Sequence, residues 1–215
     1  MPIRKIPKNY RNVTGIAASG KAIGSAQFES TLERDFLALL EFSNEVTSFE
    51  VQPIKIEWTD RQGNPRSYTP DALVTFTPDL AQQPWLCEVK YRADIKKYWN
   101  ELHPKFLQGI QYAKQRGWKF RLITEVEIRT PYLDNVRFLM PFRFRAPSAP
   151  MIASLLSQLK LVKQSTPSEL IASMANDPFE QAEWLPILWY LIAQHQIGVD
   201  LDQPLNMNSI IWGLP

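Results

Sequence analysis

The sequence predicts an α/β fold followed by a small, mainly helical module, and three observations carry that prediction. The first is alternation in Trp85-Leu86-Cys87-Glu88-Val89-Lys90-Tyr91. On a strand, successive side chains point to opposite faces, so Trp85, Cys87, Val89 and Tyr91 share an apolar face and Leu86, Glu88 and Lys90 share the other. The second is a change of period. Phe106, Leu107, Ile110 and Ala113 recur at helical spacing between Pro104 and Gly117, and Lys119 to Thr124 reads as a strand again. A strand, a helix and a further strand make a crossover unit. The third is the end of the chain. Helix candidates at Met151–Leu161, at Pro167–Ala175 with Thr166 as cap and Glu169 three residues later, and at Pro178–His195 precede a short hairpin within Ile197–Trp212. Three helices followed by a hairpin form a winged-helix pattern.

Size and composition fit this division. The chain has 215 residues, of which 45% are hydrophobic and 21% charged, enough for one cored domain and an appendage. No apolar run reaches the roughly 18–20 residues of a membrane span. Met1 to Tyr10 lacks the apolar stretch of a secretory signal, so the expected location is the cytoplasm. Cys87 is the only cysteine and reads as a small core residue. With two distant histidines beside it, a zinc site built on thiolates is excluded.

The elements follow in order. Residues 1–24 contain Arg4, Lys5, Lys8, Arg11 and Lys21 and no acid, which predicts a basic, extended arm ordered on a partner. Those five residues are candidate DNA contacts. Phe28 to Phe42 reads as a helix through Leu32, Phe36, Leu39 and Leu40, and Ser30 with Glu33 fits a capping box. Phe49 to Trp58 reads as one strand, with Pro53 marking an edge or bulge. Arg61 to Pro65 is a turn, and Ala72-Leu73-Val74 continues as a strand after Asp71. Pro104 suits the first turn of the crossover helix. Asn135 to Met140 reads as a short helix. The three prolines between Pro141 and Pro150 place a linker there. The expected domains are thus an arm over 1–24, a main domain over 25–146 and a winged-helix-like module over 147–215.

Two carboxylates and one amine carry the chemistry. Asp71 follows Pro70 at the head of one strand, and Glu88 and Lys90 share a face of the next. This is what metal-assisted cleavage of a phosphodiester needs: acids to hold a divalent cation, and a positive charge to offset charge on the phosphate or to position water. The plainer reading of Glu88 and Lys90 is a solvated ion pair worth well under ~1 kcal/mol. The apolar alternation behind them and the nearby Asp71 favour the site. Lys105 and Lys114 lie on the helix behind it as phosphate contacts or solvated charges.

At these residues the chain resembles a known family. Phe28-Glu29-Ser30-Thr31-Leu32-Glu33-Arg34-Asp35-Phe36, Tyr68-Thr69-Pro70-Asp71 and Glu88-Val89-Lys90, in that order, resemble the TnsA endonucleases of cut-and-paste transposons. Gln52-Pro53, Ile123-Thr124-Glu125 and Ile128-Arg129 extend the resemblance, and the helical tail completes it. It implies a restriction-endonuclease-like mixed sheet flanked by helices, of the PD-(D/E)xK type. It implies metal ligation by Glu33, Asp71 and Glu88, with Lys90 as the catalytic lysine and Mg2+ as cofactor, one or two ions, Mn2+ substituting. Some members carry Gln where this chain has Glu88. Glu29 is a rival for the helical acid, four residues from Glu33 and able to share its face. The implied reaction is a cut in the strand bearing the 5′ end of the transposon, while a DDE-type transposase acts on the 3′ end.

Charge divides the partners. All 24 Lys and Arg fall at or before Lys163, while Glu169, Asp177, Glu180, Glu183, Asp200 and Asp202 follow it, so the chain is +8 up to Lys163 and −6 beyond. A basic body favours a polyanion such as double-stranded DNA at transposon ends. An acidic module favours protein, and the resemblance points to the AAA+ regulator TnsC or the transposase TnsB.

Overall fold

The computed structural model describes residues 13–214. They fall into two compact units, which divide between Ile128 and Arg129. Among the described residues no helix is long and apolar enough to cross a membrane.

In the first unit the elements run β1 (Gly15–Ile16), β2 (Gln27–Phe28), α1 (Thr31–Phe42), β3 (Val46–Val51), β4 (Ile56–Thr59), β5 (Pro65–Tyr68), β6 (Ala72–Phe76), a 3-10 turn (Pro78–Leu80), β7 (Trp85–Val89), α2 (Arg92–Lys97), α3 (Trp99–Gln115), β8 (Lys119–Ile123) and α4 (Glu125–Ile128). The main sheet has the order β3-β6-β7-β8. The pairs β3/β6 and β6/β7 are antiparallel, and β7/β8 is parallel, joined by the helical crossover the sequence predicts. This is the expected mixed sheet flanked by helices. Leu86, Cys87, Glu88 and Val89 are all buried, so both faces of β7 are covered. Leu86 packs with Ile56, Tyr68 and Ala113, the last from α3.

Three local readings change. Phe49 to Trp58 is not one strand. The chain leaves β3 at Val51, and Gln52 takes a left-handed conformation, φ 49°. Strand β4 then pairs with β5 in a separate hairpin. Helix α3 starts at Trp99, so Pro104 lies inside it rather than in its first turn. Helix α1 starts at Thr31 with Ser30 as its cap, three residues later than the periodicity indicates.

The described end of the arm folds onto its own domain. Ile23 N–H donates to the Phe49 carbonyl (2.8 Å), and Phe49 N–H donates to that of Lys21 (3.1 Å), which shields part of the β3 edge. The buried Glu41 carboxylate accepts from Ser19 Oγ and from the N–H groups of Gly20 and Lys21. Arg4, Lys5, Lys8 and Arg11 lie outside the described residues.

The second unit runs α5 (Pro131–Arg143), α6 (Ala149–Val162), β9 (Gln164–Ser165), α7 (Pro167–Met174), α8 (Pro178–Ala193), β10 (Ile197–Val199) and β11 (Ile211–Gly213). The three strands form one antiparallel sheet, order β10-β11-β9. Thr166 and Glu169 form the capping box expected for α7, and Asp177 caps α8 through the N–H groups of Phe179 and Glu180. The division falls earlier than the proline-rich stretch. Helix α5 belongs with the tail, because its Asn135 side chain donates to the carbonyls of Leu201 (2.8 Å) and Gln203 (2.7 Å) and accepts from Leu205 N–H (2.9 Å). Leu133, Val136 and Leu139 on the same helix are buried.

Candidate active site

The sheet brings Asp71 and Glu88 together by register. Ala72 pairs with Cys87, and Asp71 N–H donates to the Cys87 carbonyl (3.0 Å), which sets the Asp71 side chain beside the end of β7. Asp71 Oδ2 accepts from Val89 N–H at 2.7 Å. Lys90 follows directly on β7 and keeps that strand's pairing, its N–H donating to the Ile123 carbonyl (3.1 Å). Its Nζ lies 2.9 Å from Glu88 Oε1 and 3.8 Å from Asp71 Oδ2. The convergence predicted from alternation is therefore present.

Glu33 reaches the same cleft from the first turn of α1. The cleft holds about 680 Å3 and is also lined by Asp71, Glu88, Lys90, Glu29, Gln52, Lys55, Tyr68 and Lys105. Glu33 also serves its own helix end. Its Oε2 accepts from Glu29 N–H (2.8 Å), its Oε1 from Ser30 Oγ (2.9 Å), and Ser30 Oγ accepts from Glu33 N–H (3.1 Å). Capping and site membership coexist in one side chain. Glu29, the rival acid, accepts from Gln52 Nε2 at 3.2 Å. Lys21 does not line the cleft; its ammonium donates to the Ser43 carbonyl. Lys105 lines it and pairs with Glu101 at 3.0 Å.

Electrostatics concentrate unneutralised acid here. Burial pushes the Glu88 carboxyl up to about 7, helped by the neighbouring Asp71 charge and opposed by Lys90 and the Tyr68 hydroxyl. Burial likewise raises Glu33 to about 7, again with Asp71 adding to the shift. Burial raises Asp71 too, against Lys90 and the Val89 N–H. For Lys90, burial pulls the ammonium down, but Asp71 and Glu88 outweigh it and hold it above its usual range. Lys90 is the ammonium that pairs with these acids, since Lys55 and Lys105 at the same cleft pair with Glu57 and Glu101, so Glu33, Asp71 and Glu88 are short of positive charge.

A divalent cation would relieve that shortage, and carboxylate oxygens are the hard donors Mg2+ takes. Gln52 Oε1 is a further oxygen at this cleft, buried and without a hydrogen-bond partner. On donor chemistry the residues fit the ion. Among the described residues no three acids, histidines or cysteines are already gathered at ligand spacing. The Lys90 ammonium instead holds Glu88.

Tyr68, Gln52 and Lys55 are among the cleft residues that the motifs do not single out. Tyr68 donates from its hydroxyl to Glu88 Oε2 at 2.6 Å. Its signal was available, since it stands in Tyr68-Thr69-Pro70-Asp71, but nothing in that phrase distinguishes a core tyrosine from one bonded to an acid. Gln52 carries its signal in Gln52-Pro53 directly after an apolar strand.

Comparison with known families follows the same division of the chain. Residues 43–125 match the TnsA-like endonuclease N-terminal domain, and residues 127–201 match the TnsA endonuclease C-terminal domain. The junction between them falls close to the boundary of the two structural units. Asp71, Glu88 and Lys90 lie inside the first match, whereas Glu29 and Glu33 precede it. No curated relative matches the sequence. The two matches, in order and over most of the chain, together with a mixed sheet that gathers Asp71, Glu88 and Lys90, show that this chain belongs to the family of TnsA-like transposon endonucleases.

Proposed function

We propose that the chain is a Mg2+-dependent DNA endonuclease subunit of a heteromeric transposase, cutting the non-transferred strand, which bears the 5′ end, at transposon ends. The observation that carries this reading is the Asp71, Glu88 and Lys90 cluster in a cleft with Glu33, inside a TnsA-like endonuclease match. Glu33, Asp71 and Glu88 would hold the ion. When bound, Mg2+ supplies Lewis-acid polarisation of the scissile phosphate and a more acidic water.

The chain's own residues do the rest. Lys90 keeps its proton at neutral pH because Asp71 and Glu88 favour the charged form. It therefore acts as a donor that offsets charge growing on the phosphate oxygens, rather than as a base. Glu33 and Glu88 titrate at about 7, so above that pH they stand as carboxylates. Lys55 and Lys105 at the cleft rim suit phosphate contacts, which fix position without reading sequence. The expected products are a 5′-phosphate and a 3′-hydroxyl.

The second unit reads as a winged-helix-like module for protein contact. Of its four helices, α6, α7 and α8 precede a hairpin, with β9 added beside β11. A winged helix that reads DNA usually presents Arg or Lys on the inserted helix. Helix α8 carries neither, and the chain beyond Lys163 carries only acids and no Lys or Arg. TnsC and TnsB are the proposed partners.

The test is cleavage of a transposon-end duplex by the purified chain, with and without the partner transposase, in Mg2+ or Mn2+. Scission confined to the non-transferred strand, needing the metal and raised by the partner, supports the reading. Sequence- or structure-selective cutting by the chain alone would instead support a stand-alone nuclease.

A further inference from the structure

We propose that Tyr68 is a positioning residue for cleavage, which holds the Glu88 carboxylate in the orientation that receives the metal ion. The inference deepens the nuclease reading and rests on it.

Tyr68 is a core residue by its ring and a site residue by its hydroxyl. The side chain is buried and packs with Ile56, Leu86 and Ala113. A phenylalanine would fill that space equally well. A buried hydroxyl is costly unless it finds a partner. Here the partner is Glu88 Oε2 at 2.6 Å, and that bond lies within the buried interior.

The consequence is a carboxylate held at both oxygens. Lys90 Nζ takes Oε1 at 2.9 Å, and the Tyr68 hydroxyl takes Oε2. Each oxygen of an ionised carboxylate keeps further lone-pair directions, so this hold does not exhaust its acceptor capacity. It removes the freedom of the carboxyl to swing. The two holds differ in kind. Lys90 stands on a flexible stem and is one-third exposed, free to shift toward a phosphate. The Tyr68 ring is fixed by packing at the end of β5, itself paired to Ile56 of β4. When Lys90 turns to substrate, Tyr68 remains as the group that orients Glu88. Groups that hydrogen-bond a metal ligand in this way typically contribute 10–100-fold in affinity or activity.

The test uses the full chain with its partner transposase, a transposon-end duplex and Mg2+, plus calorimetric titration of the DNA-free chain with Mn2+. Tyr68→Phe removes one oxygen and keeps the ring. The melting temperature and the KM for duplex should stay at the wild-type values. The kcat should fall about 10–100-fold, and Mn2+ binding should weaken by about tenfold. Asp71→Asn, run beside it, should lose both cleavage and Mn2+ binding. Wild-type kcat and Mn2+ affinity in Tyr68→Phe, with Asp71→Asn inactive, would overturn the role of Tyr68 alone. Wild-type behaviour of both variants would overturn the site itself. A tyrosine that only packed would leave kcat and the metal titration at their wild-type values in Tyr68→Phe, because the ring is kept.

Discussion

The Lys90 ammonium lies 2.9 Å from Glu88 Oε1 and draws on Asp71 as well, at 3.8 Å, so one cation is shared between two acids from adjacent strands. The shared ammonium opposes the rise of the carboxyls around it but does not reverse it. Glu33 and Glu88 are raised from 4.5 to about 7, burial being the larger cause and Asp71 the second. A carboxyl with a raised folded pKa binds more protons when folded than when unfolded. Its contribution to stability is fully present below 4.5 and is lost as pH rises through about 7. The metal-free chain should therefore lose melting temperature from these two groups between pH 4.5 and 7. Asp71→Asn should flatten that decline, because it removes the charge that opposes their ionisation. Thermal melts across the range, in EDTA, check it. Stability rising from these groups over the same window would contradict the assignment.

Mg2+ should reverse the loss. An ion that binds only the folded chain stabilises it by about 2.7 kcal/mol at a hundred times its dissociation constant. Melting temperature at pH 7.5 should rise with Mg2+ in the wild type and stay flat in Asp71→Asn. An equal rise in both proteins would place the ion elsewhere.

Glu33 has two roles that substitutions separate. Glu33→Gln keeps an oxygen for the Glu29 N–H and so keeps the helix end, but removes the charge. Melting temperature should hold while cleavage falls by about 100-fold or more, on the scale of removing one electrostatic interaction from the transition state. Glu33→Ala should add a stability loss of about 1 kcal/mol, as for removal of a cap. Wild-type cleavage by Glu33→Gln would move the acid's role to Glu29, which lines the same cleft.

The basic arm should contribute affinity without sequence preference. Neutralising Arg4, Lys5, Lys8 and Arg11 together should weaken duplex binding. It should also reduce the salt slope by up to about 0.9 for each phosphate that the arm neutralises in the wild type. An unchanged slope would show that the arm meets protein instead. Lys21 is left out of this set because its ammonium is used by the Ser43 carbonyl.

Residues 129–215 should form a stable module, whereas 147–215 should not. The shorter piece lacks Asn135, which ties the 201–205 turn, and the buried face of α5. The longer piece holds six Lys and Arg, all at or before Lys163, against seven acids, so it should bind duplex only weakly at physiological salt and only through those six, and it should co-purify with TnsC or TnsB. The exposed apolar side chains Phe179, Leu161 and Phe144 are its best candidates for meeting a partner. Trp189, by contrast, is buried and packs edge-on against Phe138 at 5.2 Å. Tight duplex binding by residues 129–215 that survives neutralising Arg129, Arg137, Arg143, Arg145, Lys160 and Lys163 would refute the charge argument.

The sequence made the site legible where the signal was local. Alternation from Trp85 to Tyr91 put Glu88 and Lys90 on one face, Pro70 placed Asp71 at a strand head, and Thr166 with Glu169 marked the start of α7. What escaped depends on residues distant in the chain. Asn135 meets Leu201 and Leu205, so the domain boundary could not be read from prolines nearby. The break after Val51 depends on Gln52 adopting φ 49°, a conformation its side chain does not announce. Pro104 is compatible with a first turn, but five residues of α3 precede it. Tyr68 bonds Glu88 across twenty positions, and only the paired strands bring them together. Nor does strand alternation reveal how deep the acid lies. Glu88 is 3% exposed, so truncation to alanine would leave a void and strand the Tyr68 hydroxyl, and isosteric amides are the cleaner probes.

The central claim is tested most directly by strand-resolved cleavage of a transposon-end duplex in Mg2+, comparing wild type with Asp71→Asn in the presence of the partner transposase. The account predicts a cut in the non-transferred strand by the wild type. It predicts loss of that cut, by about 100–1,000-fold or more, in a variant that melts like the wild type. Normal cleavage of that strand by well-folded Asp71→Asn would contradict it.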